Sequence, residues 1–236
     1  MISVRRAADR GHADHGWLDT HHTFSFADYH DPRHMGFRSL RVVNEDRVAA
    51  GQGFGSHPHR DMEILSYVLS GRLEHRDNLG NGAVIGPGEF QRITAGTGVV
   101  HSEFNPSAEE AVHFYQVWIK PRERGATPGY EELRTLSGFD RTAGGATLVA
   151  SPDGGDGSLT IQQDVCVWLV RLTEEGEPIG QPLAADRGLW VQVTQGEAVV
   201  EGETVGVGDG VAIEGVASVS ITPGPGAAEL LLFDLA

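Results

Sequence analysis

Four side chains in two short segments have the types and the spacing of metal ligands. His57 and His59 are two residues apart in a Gly-Ser-His-Pro-His segment, and His101 and Glu103 are two residues apart in a Val-His-Ser-Glu segment. On an extended strand such pairs lie on one face, roughly 6.5 Å apart, so each pair can converge on one point. Three imidazoles and one carboxylate leave one or two positions of a five- or six-coordinate divalent ion open, as a catalytic site requires.

The distribution of histidines along the chain favours this hypothesis. All 11 histidines fall between His12 and His113, and none follows. Solvated surface histidines would scatter over the whole sequence, whereas ligands and their neighbours would cluster. The alternative is a set of buried histidines that hydrogen-bond to neighbouring polar groups.

The segments around these residues have the pattern of short β-strands. From Ser39 onward, runs of β-branched and aromatic residues such as Val112–Ile119 alternate with glycine turns. No amphipathic helix lies between them, which predicts an antiparallel barrel or sandwich. The stretch that begins at Pro128 is the exception and predicts a helical turn or two. A histidine-rich segment at 11–32, in which Phe24 and Phe26 alternate as in a short strand, is expected to form a packed arm or a pocket rim rather than a second metal site.

The spacing of turn glycines occurs twice. Residues 82–93 match residues 202–213 at a constant offset of 120, and residues 68–71 match residues 193–196 at an offset of 125. A repeated spacing predicts two copies of one β fold. At these offsets the four candidate ligands fall on residues that bind no metal, namely Pro182, Ala184, Ile221 and Pro223. We therefore expect one metal site, in the first copy, with the second copy covering or bracing it.

Composition excludes several classes of protein. The formal net charge is −15, with −3 on residues 1–141 and −12 on residues 142–236, and no cluster of Lys and Arg offers a surface for a nucleic-acid backbone. No stretch is long and apolar enough for a membrane span, and the first residues lack the apolar core of a signal peptide. The single cysteine, Cys166, excludes an internal disulfide and fits a reducing compartment. A cytoplasmic protein is the expectation.

These motifs resemble a known family. The Gly-x5-His-Pro-His segment, the Gly86-Pro-Gly-Glu turn and the His101-Ser-Glu103 pair are similar to the cupin superfamily, and within it to pirin and the bacterial pirin-like quercetin dioxygenases. The similarity extends from His15-Gly-Trp-Leu to the closing Leu-Leu-Leu-Phe-Asp. It implies an all-β bicupin of two tandem antiparallel barrels. We expect the N-terminal cupin barrel at 1–130, a linker at 131–142 and a C-terminal barrel at 143–236.

The resemblance also implies which residues form the site. It assigns one divalent metal ion to His57, His59, His101 and Glu103. Ordinary cupins place the carboxylate ligand where this chain has Glu63, whereas pirin-like members place it two residues after the last histidine, which favours Glu103. Glu63 and His113 are then expected to support the ligands from outside. The pocket wall has four candidates, each equally explained as core: Phe54, Met62, Phe104 and Tyr115. Ligands without thiolate suit Fe(II), Mn, Co, Ni, Cu or Zn, and the resemblance favours iron.

The activity implied by the resemblance is the opening of a flavonol such as quercetin with O₂, which releases carbon monoxide. The flavonol 3-hydroxyl must lose its proton; a divalent ion lowers the pKa of that hydroxyl, and Glu103 beside the ion can take the proton. The alternatives are a metal-binding, redox-responsive regulatory or protein-interaction module of the pirin type, and another small-molecule cupin enzyme such as an isomerase. We expect a monomer, because each barrel can cover the other.

Overall fold

The computed structural model describes residues 1–134 and 144–236, and nearly every element in these two ranges is a β-strand. Two single turns of 3-10 helix lie at Ala7–Asp9 and Gly155–Gly157. The described strands form two sheets of seven strands and two sheets of four. Within these residues no helix has the length and apolar character needed to cross a membrane. The predicted all-β fold is confirmed.

In the described part of the chain, the first barrel consists of eleven strands from the N-terminal half. They are β2 (Gly11–Asp14), β3 (Leu18–His22), β4 (Leu40–Val48), β5 (Gly53–His59), β6 (Glu63–Ser70), β7 (Leu73–Asp77), β8 (Gly82–Ile85), β9 (Phe90–Thr94), β10 (Val99–Phe104), β11 (Val112–Ile119) and β12 (Gly129–Leu133). The larger sheet has the order β12-β9-β6-β11-β4-β3-β2, and the smaller sheet has the order β5-β10-β7-β8.

The second barrel also has eleven described strands, ten from the C-terminal half and one from the N-terminus. They are β1 (Ile2–Arg5), β13 (Gly145–Ser151), β14 (Leu159–Thr160), β15 (Val165–Leu172), β16 (Ile179–Pro182), β17 (Gly188–Gln195), β18 (Glu197–Val200), β19 (Glu203–Gly206), β20 (Gly210–Glu214), β21 (Ser218–Pro223) and β22 (Ala228–Leu235). The larger sheet has the order β1-β20-β17-β22-β15-β13-β14, and the smaller sheet has the order β16-β21-β18-β19.

The two barrels repeat one topology, as the glycine spacing predicts. The smaller sheets, β5-β10-β7-β8 and β16-β21-β18-β19, have the same strand order in the two halves. Strand β6 at 63–70 corresponds to β17 at 188–195, and β9 at 90–94 corresponds to β20 at 210–214. The offsets of 125 and 120 therefore relate equivalent strands.

The two larger sheets pack against each other. One hydrophobic cluster contains Tyr67 and Phe90 from the first barrel together with Leu231 and Phe233 from the second. The Tyr67 hydroxyl donates a hydrogen bond of 2.6 Å to the buried Glu229 carboxylate across this contact. Each large apolar side chain buried there contributes roughly 1.5–3 kcal/mol. The second barrel therefore supports the larger sheet of the first barrel.

The interiors of the two barrels differ in composition. The second barrel is filled by aliphatic side chains, among them Val170, Val191 and Ile221. In the first barrel a smaller apolar cluster that includes Leu73 and Phe114 leaves room for polar groups. Ile221, which corresponds to His101, lies in the aliphatic core of its barrel. This difference fits a single metal site in the first copy.

Two expectations about local structure are wrong. Residues Gly129–Leu133 form a strand rather than helical turns, because the edge of β9 offers unpaired backbone groups that outweigh local propensity. Phe24 and Phe26 follow strand β3 instead of forming one, and Phe24 packs into the core against Trp190.

The proposed domain boundaries are not fixed by the fold. β1 pairs with β20 of the second barrel, so the first residues of the N-terminal range join the other sheet. Residues 131–133 of the predicted linker belong to β12. The rest of that linker lies almost entirely at 135–143, outside the described residues.

Candidate metal centre

Strands β5 and β10 bring three predicted ligands together. They pair antiparallel, with His57 directly opposite His101 and His59 opposite Val99. The ring centroids are 4.4 Å apart for His57 and His101, 4.7 Å for His57 and His59, and 4.9 Å for His59 and His101. One ring nitrogen from each imidazole lies within 4.8 Å of the others. Such a group of nitrogens can bind one metal ion.

Strand alternation orients these side chains as the spacing predicts. His101 and Glu103 are buried on one face of β10, while Val100 and Phe104 are exposed. The pairing of β10 with β5 shifts register between His101 and Glu103. Close approach of the strands at this irregularity requires Gly53, since a Cβ there would lie 2.3 Å from the Glu103 carbonyl oxygen.

A chain of buried hydrogen bonds holds His101. The Nδ1 atoms of His101 and His75 are 3.3 Å apart, and His75 Nε2 is 3.1 Å from a carboxylate oxygen of Asp77. Because Asp77 accepts the His75 Nε2–H, His75 Nδ1 becomes the acceptor for His101 Nδ1–H. Tyr130 stacks on His75 with ring centroids 4.4 Å apart. The tautomer assigned in this way leaves His101 Nε2 without a proton.

The same nitrogen shows that the residues fit a metal ion. Within the described part of the chain, His101 Nε2 is buried and has no hydrogen-bond partner. An unpartnered buried nitrogen costs free energy unless a ligand binds to it. His101 is common to two groups of ligand atoms, one with His57 and His59 and one with His75 and Glu103. His101 is thus the residue that the two groups have in common, and Glu103 is not in the group with His57 and His59.

Three side-chain donors fix the Glu103 carboxylate. Gln91 donates to Oε1 at 2.8 Å and Ser66 to the same oxygen at 3.3 Å, while Gln116 donates to Oε2 at 2.7 Å. Burial raises the pKa of Glu103, and the nearby His75 and the hydrogen bonds oppose this effect. These contacts orient the carboxylate before any ligand binds.

Burial keeps the imidazoles of His59 and His101 neutral. It lowers the pKa of His59 to about 4 and that of His101 to about 3, with further lowering by the neighbouring imidazoles. The neutral form is the one that binds metal ions, so the electrostatics of the site match the chemistry of the predicted ligands.

A cavity of about 290 Å³ opens beside these residues. Trp118 packs edge-on against His59 with ring centroids 4.8 Å apart, and it donates to Gln116 through its indole nitrogen. The cavity has both aromatic and polar lining residues: His15, Leu18, Thr20, His22, Phe26, Ala27, Asn44, Asp46, Phe54, His57, His59, Glu103, Gln116 and Trp118. His15, His22 and Phe26 come from the arm that the sequence predicted to be a pocket rim.

Of the four candidate wall residues, only Phe54 lines this cavity. Met62 packs on an apolar cluster around Ile64. Phe104 points outward from β10, and Tyr115 is fully buried between the barrels, where its hydroxyl donates to Glu45 at 3.2 Å. Strand parity accounts for Phe104, because it follows Glu103 directly and so faces the other way.

Glu63 and His113 lie apart from the predicted ligands. The Glu63 carboxylate accepts hydrogen bonds from Thr94 at 2.9 Å and from the Gln162 backbone at 3.2 Å. Glu63 follows His59 by four residues, which on a regular strand would place both on one face; Asp61 between them adopts a left-handed conformation, with φ of 50°, and breaks this alternation. His113 bonds to Glu45 at 2.9 Å. Neither residue contacts a predicted ligand through the bonds that the described residues form.

The polar residues that surround the ligands were not found from the sequence. His75 and Asp77 have the same two-residue spacing on β7 as the ligand pairs, which is a signal that sequence reasoning could have used. Gln91, Gln116 and Asp46 carry no such signal, because their roles depend on which strands become neighbours.

A further group of possible ligand atoms lies outside the cavity. His12, Asp19 and His21 bring one ligand atom each within 4.8 Å of the others, on the outer strands β2 and β3. All three are at least partly exposed. The sequence predicts no second metal site in this arm, and that remains a prediction.

Two barrels of repeated topology, with the cluster of His57, His59 and His101 in the first, define a bicupin whose candidate metal centre lies in the N-terminal barrel. The family model of pirin matches residues 3–119, and the model of the quercetinase C-terminal cupin domain matches residues 148–235. The chain belongs to the pirin family.

Its relatives include enzymes. The chain is 50% identical over 235 residues to quercetin 2,3-dioxygenase of Escherichia coli K12, which covers 100% of this chain and 99% of the relative. It is 43% identical over 240 residues to a putative quercetin 2,3-dioxygenase of Pasteurella multocida, with full coverage of both chains.

Solved structures agree with this assignment. The crystal structure of YhhW from Escherichia coli is 50% identical, covers 100% of this chain and 98% of its own, and has a TM-score of 0.95. A structure of bacterial pirin YhhW in complex with nickel(II) is 49% identical, covers 100% and 99%, and has a TM-score of 0.94. The predicted family is confirmed.

Proposed function

We propose that this chain is a metal-dependent dioxygenase that opens the ring of a quercetin-type flavonol with O₂ and releases carbon monoxide. The observation that carries the proposal is the convergence of His57, His59 and His101 beside an aromatic-lined cavity of about 290 Å³. Cavities of roughly this size take small organic ligands. The name of the Escherichia coli relative supplies the substrate class.

We assign His57, His59, His101 and Glu103 as the ligands of one divalent ion, with Fe(II) as the native metal. The neutral imidazoles of His59 and His101 and the fixed carboxylate of Glu103 support this assignment. The donor set also suits Ni, Co, Cu, Mn and Zn. When bound, the ion lowers the pKa of a coordinated hydroxyl and neutralises the anion that results.

The residues around the ligands orient the substrate. Phe54 and Trp118 offer flat apolar surfaces to an aromatic ring. Gln116 holds the Glu103 carboxylate and accepts the indole N–H of Trp118 at 3.2 Å, so it links a wall residue to a ligand. Holding the substrate and O₂ together in this cavity makes their encounter effectively intramolecular.

The test is to incubate iron-loaded protein with quercetin under O₂ and to follow both the flavonol absorbance and carbon monoxide. We expect the loss of absorbance to be matched by carbon monoxide in equal amount. Loss of absorbance without carbon monoxide indicates autoxidation, and absence of both signals with several metals refutes the enzymatic proposal.

That last outcome would favour the alternative, a metal-binding regulatory module of the pirin type. We further propose that the enzyme acts as a monomer in the cytoplasm. The −12 charge on residues 142–236 opposes self-association. Light scattering that gives twice the 25.3 kDa chain mass would contradict the monomer.

A further inference from the structure

The cavity is lined by two buried carboxyl groups, Glu103 and Asp46, which differ in how many hydrogen bonds they accept. A carboxylate has about four lone-pair sites. Three donors occupy the oxygens of Glu103, and a bond to a metal ion would take the fourth site. Glu103 can then accept a proton only if it releases the metal or one donor.

The Asp46 carboxylate has lone pairs that accept no hydrogen bond from the described residues. Its Oδ1 accepts one hydrogen bond, from the Thr20 hydroxyl at 2.5 Å. Among the residues that the structure describes, none forms a hydrogen bond or ion pair with Oδ2. Oδ2 is not among the polar atoms that are fully enclosed and lack a hydrogen-bond partner, so part of its surface is accessible. Because Asp46 lines the cavity, this oxygen faces the cavity.

An ionised carboxyl group in such a buried place costs free energy. Burial raises the pKa of Asp46 to about 7; the Thr20 hydrogen bond lowers it, and the carboxylates of Glu103, Glu45 and Asp19 raise it. Other titratable groups are His22 on β3 and His113 on β11, the two strands paired with β4, and His57 and His59, which line the same cavity. A general base is most effective when its pKa lies near the working pH.

Resting on the proposed flavonol reaction, we propose that Asp46 is the catalytic base and that Glu103 is a ligand only. Asp46 Oδ2 takes the proton of the flavonol hydroxyl, whose O–H bond breaks while the electron pair stays on the substrate oxygen. The resulting flavonolate anion can transfer electrons to O₂. Sequence reasoning gave both roles to Glu103, and the hydrogen bonds divide them between two residues.

The test is an anaerobic titration of metal-loaded protein with quercetin, followed by absorption spectroscopy. An ionised flavonol absorbs at longer wavelength than a neutral one. We expect the native protein to bind ionised quercetin, and Asp46→Asn to bind as much metal and quercetin but to leave the quercetin neutral. Its kcat under O₂ should fall about 100-fold or more. Asp186→Asn, the same change at an exposed site on the second barrel, should behave as the native protein does.

A second variant keeps the proposal testable if Asp46→Asn folds poorly. Thr20→Val removes the donor that lowers the pKa of Asp46, so the pH midpoint of quercetin ionisation should rise. An unmoved midpoint, or ionised quercetin in Asp46→Asn, overturns the role of Asp46 while leaving the flavonol reaction intact. If the native protein binds no quercetin, both the proposed function and this inference are wrong.

Discussion

Replacing Asp46 with asparagine should stabilise the metal-free protein, and the gain should grow with pH. Asparagine has nearly the same shape and keeps an oxygen that can accept the Thr20 hydrogen bond. It removes the ionisation of a carboxyl group whose pKa rises from 3.8 to about 7 on burial. The folded state thus binds the Asp46 proton more tightly than the unfolded chain does. Stability from this group is therefore present at low pH and is lost as the pH rises through the folded pKa.

The magnitude follows from the two pKa values. Each pKa unit corresponds to about 1.36 kcal/mol, so the shift of Asp46 costs about 4 kcal/mol of stability above neutral pH. At about pH 5 the folded group is still protonated, and the cost is about 1.7 kcal/mol. The advantage of the variant over the native protein should therefore grow by about 2 to 3 kcal/mol between about pH 5 and pH 8.5.

The assay is urea unfolding of both metal-free proteins across this pH range. Carboxylates remote from Asp46 titrate equally in both proteins, so their contributions cancel in the difference. Asp186→Asn serves as the control and should show no such trend. A difference in unfolding free energy that does not change with pH would show that Asp46 has no raised pKa, and the reasoning about its buried, open oxygen would fail.

Three further predictions concern the metal centre. Glu103→Ala should lower metal affinity and abolish turnover, and Glu103→Gln should retain some metal. Glu63→Ala should bind metal as the native protein does; loss of metal from Glu63→Ala alone would restore the general cupin assignment. His75→Phe should weaken metal binding roughly 10–100-fold, measured by competition with a chelator, and His75→Gln, which keeps an acceptor and a donor, should recover part of it. Gly53→Ala should separate β5 from β10 and lower metal affinity without changing any ligand, and unchanged affinity would contradict the close approach.

Much of the fold could be predicted because it depends on local patterns. Turn glycines repeat at fixed offsets, and they predict two copies of one barrel. Strands β6 and β17 are equivalent strands of these two copies. The convergence of His57 with His59 follows from strand parity, which holds wherever the strand stays regular. The predictions that were wrong depend on contacts between distant segments. Gly129–Leu133 is extended because it pairs with β9, and local propensity does not reveal that pairing.

The surroundings of the ligands were harder to predict for a related reason. Strand alternation would place Glu63 on the same face as His59, but it breaks at Asp61, whose left-handed conformation has no signal in the sequence because the residue is not glycine. Asp46 lies in an ordinary strand segment, and its position at the cavity depends on the register of β4 against β3, where it lies opposite Thr20. Parity therefore predicts ligands on one strand, and it cannot predict which side chains from other strands will face them.

The central claim is that one divalent ion binds to His57, His59, His101 and Glu103. It is tested most directly by the anomalous difference map of a crystal loaded with iron or nickel and measured at the absorption edge of that metal. We expect one strong peak per chain, about 2.0–2.2 Å from three imidazole nitrogens and a Glu103 oxygen. A peak bound to Glu63, a second peak of equal strength at His12, or a peak inside the second barrel would contradict the account.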